Sequence, residues 1–257
     1  MLPHNFQLVQ LGSPAMVYMI GGGEFNMNAR SLRETRKLVK KDDKFGFGAC
    51  ADMRHPRHGH SACSVNDKFI VVTGSRVDKA GDMCEIYNQV MNKWTDLPKM
   101  KSPRHYHSSC AFNSGQIFVF CGINNPTKKY INTIEMLDIN MFQQGIITNW
   151  QPFEIDYSPD FAENLTARQG LGTCQIDDKS ILIVGGYTGA YSKDGYILNV
   201  ATKKLRKTPN LPADCFPFAV PTIADTTSKI AYTVDWTRYK LFRYKADSWE
   251  IVTNFKG

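Results

Sequence analysis

Long hydrophobic runs are missing from this sequence of 257 residues, whose longest apolar stretches, such as ILIV at 181–184, span only a few positions. A helix needs about 20 apolar residues to cross a bilayer, so the sequence predicts no membrane span. The first residues, MLPHNFQLVQLGSP, also lack a basic segment followed by an apolar one. We therefore expect no signal peptide and a cytoplasmic protein.

Several signatures of chemistry are missing as well. The seven cysteines include no CxxC pair and no spacing typical of zinc ligands. There is no P-loop and no Ser/His/Asp order, and the GGG at 21–23 follows an apolar run instead of opening a helix. The formal net charge of +7 is a modest basic surplus, which favours a partner with an acidic surface.

What the sequence does contain is an internal repeat. The segment PRHGHSAC (56–63) recurs as PRHYHSSC (103–110), a shift of 47 residues, and more weakly as RQGLGTC (168–174). In each copy a cysteine follows an arginine by six positions. A period of this length indicates a repeat architecture in which each unit is one supersecondary element.

Short apolar runs that end near a glycine follow these three segments, and two similar runs occur elsewhere. The runs are VYMIGGG (17–23), FIVVTGS (69–75), IFVFCGI (117–123), ILIVGGY (181–187) and, without the glycines, KIAYTVD (229–235). Runs that are apolar on both faces predict strands buried from both sides, and five of them predict five units. The glycines supply the positive φ of a tight turn.

The second half of the repeat carries acidic and aromatic residues. Units two and three contain EIYN (85–88) and EMLD (135–138) as third strands, followed by Trp94 and Trp150. Leu205 and Trp249 take the aromatic position in units four and five, and Phe47 takes it in unit one. A large side chain once per unit predicts a wedge between neighbouring sheets.

This pattern resembles the kelch family: a basic residue on the first strand, an apolar run ending in Gly-Gly on the second, Glu-x-Tyr on the third and Trp on the fourth. The resemblance covers nearly the whole chain and is strongest in units two and three. It implies an all-β fold, a kelch-type β-propeller of five four-stranded units in a single domain over 1–257. The units are expected at 4–53, 54–100, 101–160, 161–212 and 213–257.

The resemblance also implies a structural role for the residues of the motif. These are Gly22, Gly23, Arg57, Glu85, Tyr87, Trp94, Arg104, Trp150, Gly185, Gly186 and Trp249. Kelch propellers commonly have six blades, so the five units predict either a five-bladed ring or an incomplete six-bladed ring. In the second case the sixth blade is absent, degenerate or supplied by a partner. We see no strand exchanged between the two ends of the chain.

Histidines raise the question of a metal site. His58 and His60 are two positions apart, so on a strand they share one face, as metal ligands can. The pair recurs as His105 and His107, which favours a role in the repeat, and no carboxylate or thiol lies at ligand spacing. We therefore expect no metal and no cofactor.

Catalysis in the central channel is the alternative to a binding role. Some kelch-like propellers are enzymes, namely copper sugar oxidases or sialic acid mutarotases. Here every histidine except His4 lies in two adjacent units, although a channel site needs groups from several blades. Cys63, Cys110 and Cys174 are equivalent in the repeat, which indicates packing and argues against a nucleophile. We expect no catalytic residue.

Two basic clusters, at 30–44 and 203–207, raise the further alternative of RNA or ribonucleoprotein binding. Binding of a single strand also needs aromatics interleaved with the charges, and these stretches have few. We interpret 30–44 as a solvated third strand with its turn and expect no nucleic-acid partner.

Unit three is longer than its neighbours and carries two insertions, 140–149 and 156–166. Insertions in repeat folds map to loops on one face, which is often the binding face. The turns after the glycine runs are also long and carry Tyr130 and Tyr191, which we expect to be exposed. The candidate partner-binding residues are Lys128, Lys129, Tyr130, Phe142, Gln143, Gln144, Tyr157, Asp160, Phe161 and Tyr191.

The function that the sequence predicts is that of a non-enzymatic scaffold for protein–protein interactions. Many kelch domains belong to cytoskeletal or ciliary assemblies, so the resemblance implies a subunit of a larger assembly of that type. The long loops of unit three support this prediction. Binding residues concentrate on loops, and lengthening a loop costs little stability.

Overall fold

The computed structural model describes residues 4–23, 30–113, 115–156, 165–218, 221–235 and 237–254. Within these ranges the chain forms five antiparallel four-stranded sheets, which are the blades of a β-propeller. Each blade takes its four strands from one continuous stretch of chain, in chain order. The all-β kelch-type propeller of five four-stranded units is therefore confirmed.

The strands have the following bounds. Blade 1 contains β1 (Gln7–Leu11), β2 (Met16–Ile20), β3 (Thr35–Lys41) and β4 (Lys44–Ala49). Blade 2 contains β5 (Ser61–Val65), β6 (Phe69–Thr73), β7 (Cys84–Asn88) and β8 (Lys93–Leu97). A short pair, β9 (Arg104–His105) and β12 (Ile123–Asn124), flanks blade 3, which contains β10 (Ser108–Phe112), β11 (Gln116–Phe120), β13 (Ile134–Asp138) and β14 (Gln151–Phe153).

The last two blades follow the same pattern. Blade 4 contains β15 (Gly172–Gln175), β16 (Ser180–Val184), β17 (Gly195–Asn199) and β18 (Leu205–Lys207). Blade 5 contains β19 (Ile223–Asp225), β20 (Ile230–Asp235), β21 (Lys240–Lys245) and β22 (Ser248–Asn254). The described residues also contain one α-helix, α1 (Ile139–Gln143), and one 3-10 turn (Asp78–Ala80).

The five apolar runs are the second strands β2, β6, β11, β16 and β20, as the sequence predicts. Strand β16 is buried at every position because its two faces pack against blades 3 and 5. The basic segment at 30–44 contributes β3 and its turn, and no helix forms there. Period and apolar patterning thus located the strands that carry most of the core.

In blades 2, 3 and 5 a tryptophan packs against the preceding blade. Trp94 is 4% exposed and its indole N–H donates to the Ala51 carbonyl, 3.0 Å away, at the end of blade 1. Trp150 donates to the Pro98 carbonyl of blade 2 at 2.9 Å. Phe47 aligns with Trp94 in the sheet register but is 39% exposed, so the expectation that it is a wedge was wrong.

Buried arginines fix the connections between second and third strands. Arg57 pairs with Glu85 at 2.8 Å, and both side chains are fully buried. The same guanidinium donates to the carbonyls of Gly74 and Met83, at the two ends of the connection 74–83. Arg104 makes the corresponding pair with Glu135 at 2.6 Å. A buried charge must be paired and hydrogen-bonded, and these contacts hold the long connections in place.

The glycine turns are needed for backbone conformation and for close approach. Gly185 and Gly186 have φ of 63° and 104°, and a Cβ on Gly185 would lie 2.2 Å from the Cys215 carbonyl oxygen of the next blade. In unit one, Gly21 and Gly22 have positive φ while Gly23 does not. The motif pair in unit one is therefore Gly21 and Gly22, and its assignment to Gly22 and Gly23 was one residue too late.

The hydrophobic core lies between the blades. Separate clusters of buried side chains join blades 1 and 2, 2 and 3, 3 and 4, and 4 and 5. Among the described residues no such cluster joins blade 5 to blade 1, and no strand is exchanged across that junction. We call the junction the seam of the ring.

Candidate protein-binding face

The antiparallel order of the strands sends their connections alternately to two faces of the ring. Connections between first and second strands and between third and fourth strands lie on one face, which we call the turn face; it includes 66–68 and 139–150. Connections between second and third strands, and those leading to the next blade, lie on the opposite face, which we call the loop face. The loop face includes 74–83, 121–133, 185–194 and 208–218.

The candidate residues predicted from sequence divide between the two faces. Lys128, Lys129, Tyr130 and Tyr191 lie on the loop face. Tyr191 is 40% exposed, whereas Tyr130 is half-buried, so the expectation that it is exposed was wrong. Because the strand order puts Phe142, Gln143 and Gln144 on the turn face, the structure does not bring those three candidates together with the four on the loop face.

The candidates on the turn face are Phe142, Gln143 and Gln144. Phe142 packs against the hydrophobic cluster between blades 2 and 3, so part of its surface serves the core. Asp138 is the N-cap of the helix that carries it, and its carboxylate accepts from the backbone N–H of Met141 at 3.0 Å. The remaining candidates, Tyr157, Asp160 and Phe161, lie outside the described residues.

A row of aromatic rings crosses the loop face from blade 3 to blade 5. Neighbouring ring centroids are 4.8–6.3 Å apart and most neighbours meet edge to face. Such pairs attract one another beyond the area that they bury. In order, the rings belong to Tyr130, Tyr187, Tyr191, Phe216, Phe218 and Tyr106. We call these six residues the aromatic arc.

Glycines at neighbouring positions make room for the arc. A Cβ on Gly59 would lie 2.7 Å from a ring carbon of Tyr106, and a Cβ on Gly170 would lie 2.1 Å from a ring carbon of Phe216. Tyr106 occupies the repeat position of Gly59 and Gly170 and keeps their left-handed backbone, with φ of 52°. That conformation is strained for a tyrosine. Strain of this kind concentrates at functional sites, which supports a functional role for Tyr106.

Sequence reasoning missed four members of the arc: Tyr106, Tyr187, Phe216 and Phe218. A signal for Tyr106 was present, because PRHYHS carries tyrosine where PRHGHS carries glycine. Phe216 and Phe218 had no such signal, since unit five has lost the arginine and histidines by which the other segments are aligned.

Cations border the arc. The Arg238 guanidinium lies 4.8 Å above the Tyr191 ring and also pairs with Asp214 at 3.2 Å. Arg76 donates to the Tyr106 hydroxyl at 3.4 Å, and within the described ranges it has no carboxylate partner. Exposed Lys129 likewise forms no ion pair in the part of the chain that the structure describes. The loop face therefore presents aromatic rings beside unpaired positive charge.

The first strands of the five blades line a central channel of about 520 Å³. Hydroxyl groups supply much of its polar surface and bond to one another across neighbouring blades. Ser61 and Ser109 are 2.8 Å apart through their Oγ atoms, and Ser108 and Thr173 are 2.7 Å apart. These pairs link neighbouring blades.

Three of the histidines, His60, His105 and His107, are buried in the repeat framework. His58 and His60 precede β5, so the expectation that they share the face of a strand was wrong. Burial lowers the pKa of His60 to about 3 and, together with the nearby Arg104 charge, lowers the pKa of His107 well below its usual value. Both imidazoles are therefore neutral at pH 7. Within the described residues no group of three or more His, Cys, Asp or Glu side chains could hold a metal ion.

Most of the cysteines are buried. Burial raises the pKa of Cys63, Cys84 and Cys174 to about 12 and that of Cys121 to about 11. A thiol with such a pKa is protonated at pH 7 and is a poor nucleophile. The repeated cysteines Cys63 and Cys174 pack at the interfaces between blades.

These features define a β-propeller built from repeats, whose loop face carries the aromatic arc and unpaired basic side chains. A family model described as the KLHDC2/KLHL20/DRC7 Kelch-repeats domain matches residues 7–217. The chain belongs to this kelch-repeat family, whose propeller fold is typical of protein–protein interaction domains. No curated protein sequence matches the chain. No helix among the described residues is long and apolar enough to cross a membrane.

Proposed function

We propose that this kelch propeller is a non-enzymatic scaffold that binds a protein partner through its loop face. In this proposal it is a cytoplasmic subunit of a larger assembly of cytoskeletal or ciliary type. The aromatic arc is the observation that carries the proposal, because six rings from three blades converge on one face.

The chemistry of the arc fits a protein surface. Aromatic rings and arginine are enriched at the centres of protein interfaces, where they supply large contact areas with few rotatable bonds. Tyr191 and Arg238 already form such a pair on the loop face. Unpaired charges at Arg76 and Lys129 favour a partner segment that carries carboxylates, since complementary charge speeds and orients association.

The contact residues that we propose are Lys128, Lys129, Tyr130 and Tyr191, together with the arc. Lys128 is held 3.1 Å from Asp78, a residue of the neighbouring connection of blade 2. An exposed pair of this kind costs little to open, so Lys128 remains available to a carboxylate of the partner.

A quantitative pull-down with identification of co-purifying proteins tests the proposal. The double variant Tyr191→Ala/Lys129→Ala removes an aromatic anchor and a cation from the loop face. We expect it to lose a partner that the unmodified chain retains. Its matched control, Gln143→Ala/Gln144→Ala, alters the turn face and should retain that partner at the same yield.

The opposite pattern contradicts the proposal. If the Gln143→Ala/Gln144→Ala variant loses the partner while the Tyr191→Ala/Lys129→Ala variant retains it, binding takes place on the turn face. Thermal melts of both variants show whether a loss of binding comes from unfolding.

A further inference from the structure

The aromatic arc indicates what kind of chain segment the loop face accepts, an inference that rests on the proposed function. All six of its side chains are at least partly exposed, so each offers surface to a ligand. The backbone at the centre of the arc is already paired. The N–H of Tyr187 donates to the Gln169 carbonyl at 2.8 Å, and the Tyr187 carbonyl accepts from the Gln169 N–H at 3.0 Å. A partner strand therefore finds no free backbone groups at this point, and side chains must provide the contacts.

Three tyrosines of the arc carry hydroxyl groups that bond to no acceptor within the described residues, namely Tyr130, Tyr187 and Tyr191. Each hydroxyl can donate to a carbonyl of a bound peptide. An ordinary residue that packs against a ring loses the bond between its backbone N–H and water, which costs free energy. Proline has no backbone N–H and keeps only its carbonyl. The arc therefore fits a proline-rich segment better than a segment with an N–H at every residue.

The shape of the arc fits the extended conformation of such a segment. Four of the five neighbouring ring pairs meet at 65–85°, so steep steps separate the rings. Alternate rings are at most about 12 Å apart, and polyproline II completes a turn of three residues in about 9 Å. Prolines on one side of that helix can therefore contact successive steps. Aromatic-lined grooves of other domains bind proline-rich ligands in this conformation.

Charge indicates which residues flank the prolines. In the described part of the chain, cations without a carboxylate partner lie at both ends of the arc. Arg76 bonds to the Tyr106 hydroxyl at one end, and Lys129 directly precedes the tyrosine at the other end. Between them, the Arg238 guanidinium lies 4.8 Å over the Tyr191 ring, in the place that a cationic ligand would need. Carboxylates beside the prolines are therefore favoured over lysines or methylated ammonium groups.

The packing of the rings favours a peptide over a nucleic acid. Single strands of RNA or DNA also bind aromatic and basic side chains, but their bases stack on the faces of the rings. In the arc, most rings turn an edge to the face of a neighbour, which covers area that a base would need. The steps between the rings remain open to a narrow peptide.

We propose that the aromatic arc binds a proline-rich segment of the partner in the polyproline II conformation, with aspartate or glutamate on both sides of the prolines. The tyrosine hydroxyls donate to carbonyls of the segment, and Arg76 and Lys129 pair with its carboxylates. The proposed function requires only that a protein partner binds the loop face, so it can hold even if this narrower proposal fails.

Fluorescence anisotropy with a synthetic probe tests the conformation of the ligand. The probe is a fluorescein-labelled peptide of eight L-prolines with two glutamates at each end. One comparison peptide has D-prolines, which form the mirror-image helix, and the other has alternating glycine and serine; both keep the glutamates. We expect the full chain to bind the L-proline peptide at least about tenfold more tightly than either, because only this peptide forms the left-handed helix before binding. Equal affinities, or no binding of the L-proline peptide, would overturn the proposal.

Substitutions at Tyr191 separate the ring from its hydroxyl. Tyr191→Ala should weaken binding of the L-proline peptide by about fivefold or more. Tyr191→Phe should weaken it by about threefold, because only a hydrogen bond is lost. The turn-face variant Gln143→Ala/Gln144→Ala should bind as the unmodified chain does, and thermal melts show that each variant is folded. Full affinity in folded Tyr191→Ala, or a loss in the turn-face variant, contradicts the proposal.

A competition experiment distinguishes this proposal from the proposed function. A large excess of the L-proline peptide should release the co-purifying partner from the immobilised chain, whereas the D-proline peptide should not. Retention of the partner overturns the proposal, and the proposed function still stands if the Tyr191→Ala/Lys129→Ala variant loses that partner. A labelled oligouridylate that displaces the L-proline peptide at lower concentration than the unlabelled peptide itself would overturn the proposal in favour of a nucleic acid.

Discussion

The middle blades and the end blades of this propeller differ in how much of the kelch motif they keep. Blades 2 and 3 each have a buried Arg–Glu pair and a buried tryptophan. Blade 1 has Phe47 at the tryptophan position, and blade 5 has Cys215 at the arginine position. The full motif occurs only in blades 2 and 3, which other blades cover on both faces, whereas blades 1 and 5 beside the seam lack parts of it; blade 4, although also covered on both faces, has Leu205 at the tryptophan position.

This difference indicates that the motif residues stabilise the packing between neighbouring blades more than the strand pairing within one blade. Blade 1 forms a regular four-stranded sheet although its aromatic is exposed, so the tryptophan is not needed for strand pairing. The N–H of Trp94 bonds to Thr35 and Ala51 of blade 1, so its partners belong to the neighbour. Loss of the tryptophan should therefore matter where a neighbour exists.

The largest expected effect tests that statement directly. Trp94→Ala should lower the free energy of unfolding by about 3–5 kcal/mol, because it leaves a cavity between blades 1 and 2. Phe47→Ala, at the equivalent position beside the seam, should cost less than about 1 kcal/mol because the ring is partly solvated. Urea unfolding of the two variants checks the contrast, and equal losses would mean that Phe47 is covered in solution.

A somewhat smaller effect is expected from the buried ion pair of blade 2. Glu85→Ala leaves the Arg57 charge buried, and breaking such a pair costs about 3 kcal/mol or more. We expect the lower part of the range because Arg57 keeps its bonds to two carbonyls. The matched variant Asp78→Ala, also in blade 2, removes a carboxylate that is 76% exposed in its pair with Lys128 and should cost at most about 1 kcal/mol. Calorimetry that ranks the two variants the other way contradicts this assignment.

The buried histidines of blades 2 and 3 predict a dependence on pH. Their pKa values are lowered in the folded state, so below about pH 6.5 the unfolded chain binds more protons. The stability that they contribute is complete above that pH and is lost as the pH falls. From pH 7 to 5.5 we expect a loss of about 1 kcal/mol for each histidine.

Urea unfolding at several pH values measures this loss. His60→Gln should reduce the slope of stability against pH in this range by roughly a third, because the pKa values of His58, His105 and His107 are lowered as well. An unchanged slope would show that His60 does not remain neutral in the folded protein.

The smallest expected change in stability belongs to the loop face. Tyr191→Ala should lower the free energy of unfolding by no more than about 1 kcal/mol, because the residue is 40% exposed and loses only its contacts with two rings and Arg238. A loss as large as that of Trp94→Ala would place Tyr191 in the framework and would weaken the assignment of the aromatic arc to binding.

Much of the fold could be predicted from the sequence because the motif repeats at a nearly constant spacing. The apolar runs at 69–73 and 180–184 are strands for a reason visible in the sequence, namely burial on both faces. The exposure of Phe47 could not be predicted, because the alignment that identifies its position does not show whether a blade lies against it. Whether a neighbouring blade buries such a residue depends on how the ring is assembled and cannot be read from a single repeat.

The candidate site was harder to predict than the fold. Tyr191 was found because it lies in a long turn, but Phe216 belongs to a connection that has lost the repeat pattern. The division between Tyr191 and Phe142 follows from strand order, which sends successive connections to opposite faces. Insertion length alone does not distinguish those faces.

The direction in which the aromatic wedges point has a consequence for how the ring is made. Trp94, Trp150 and Trp249 each bond to the blade that precedes them in the chain. During synthesis from the N-terminus, every blade after the first therefore emerges beside a finished surface that is ready to receive it. We expect vectorial assembly, in which blade 1 serves as the template and each later blade is added to a growing end.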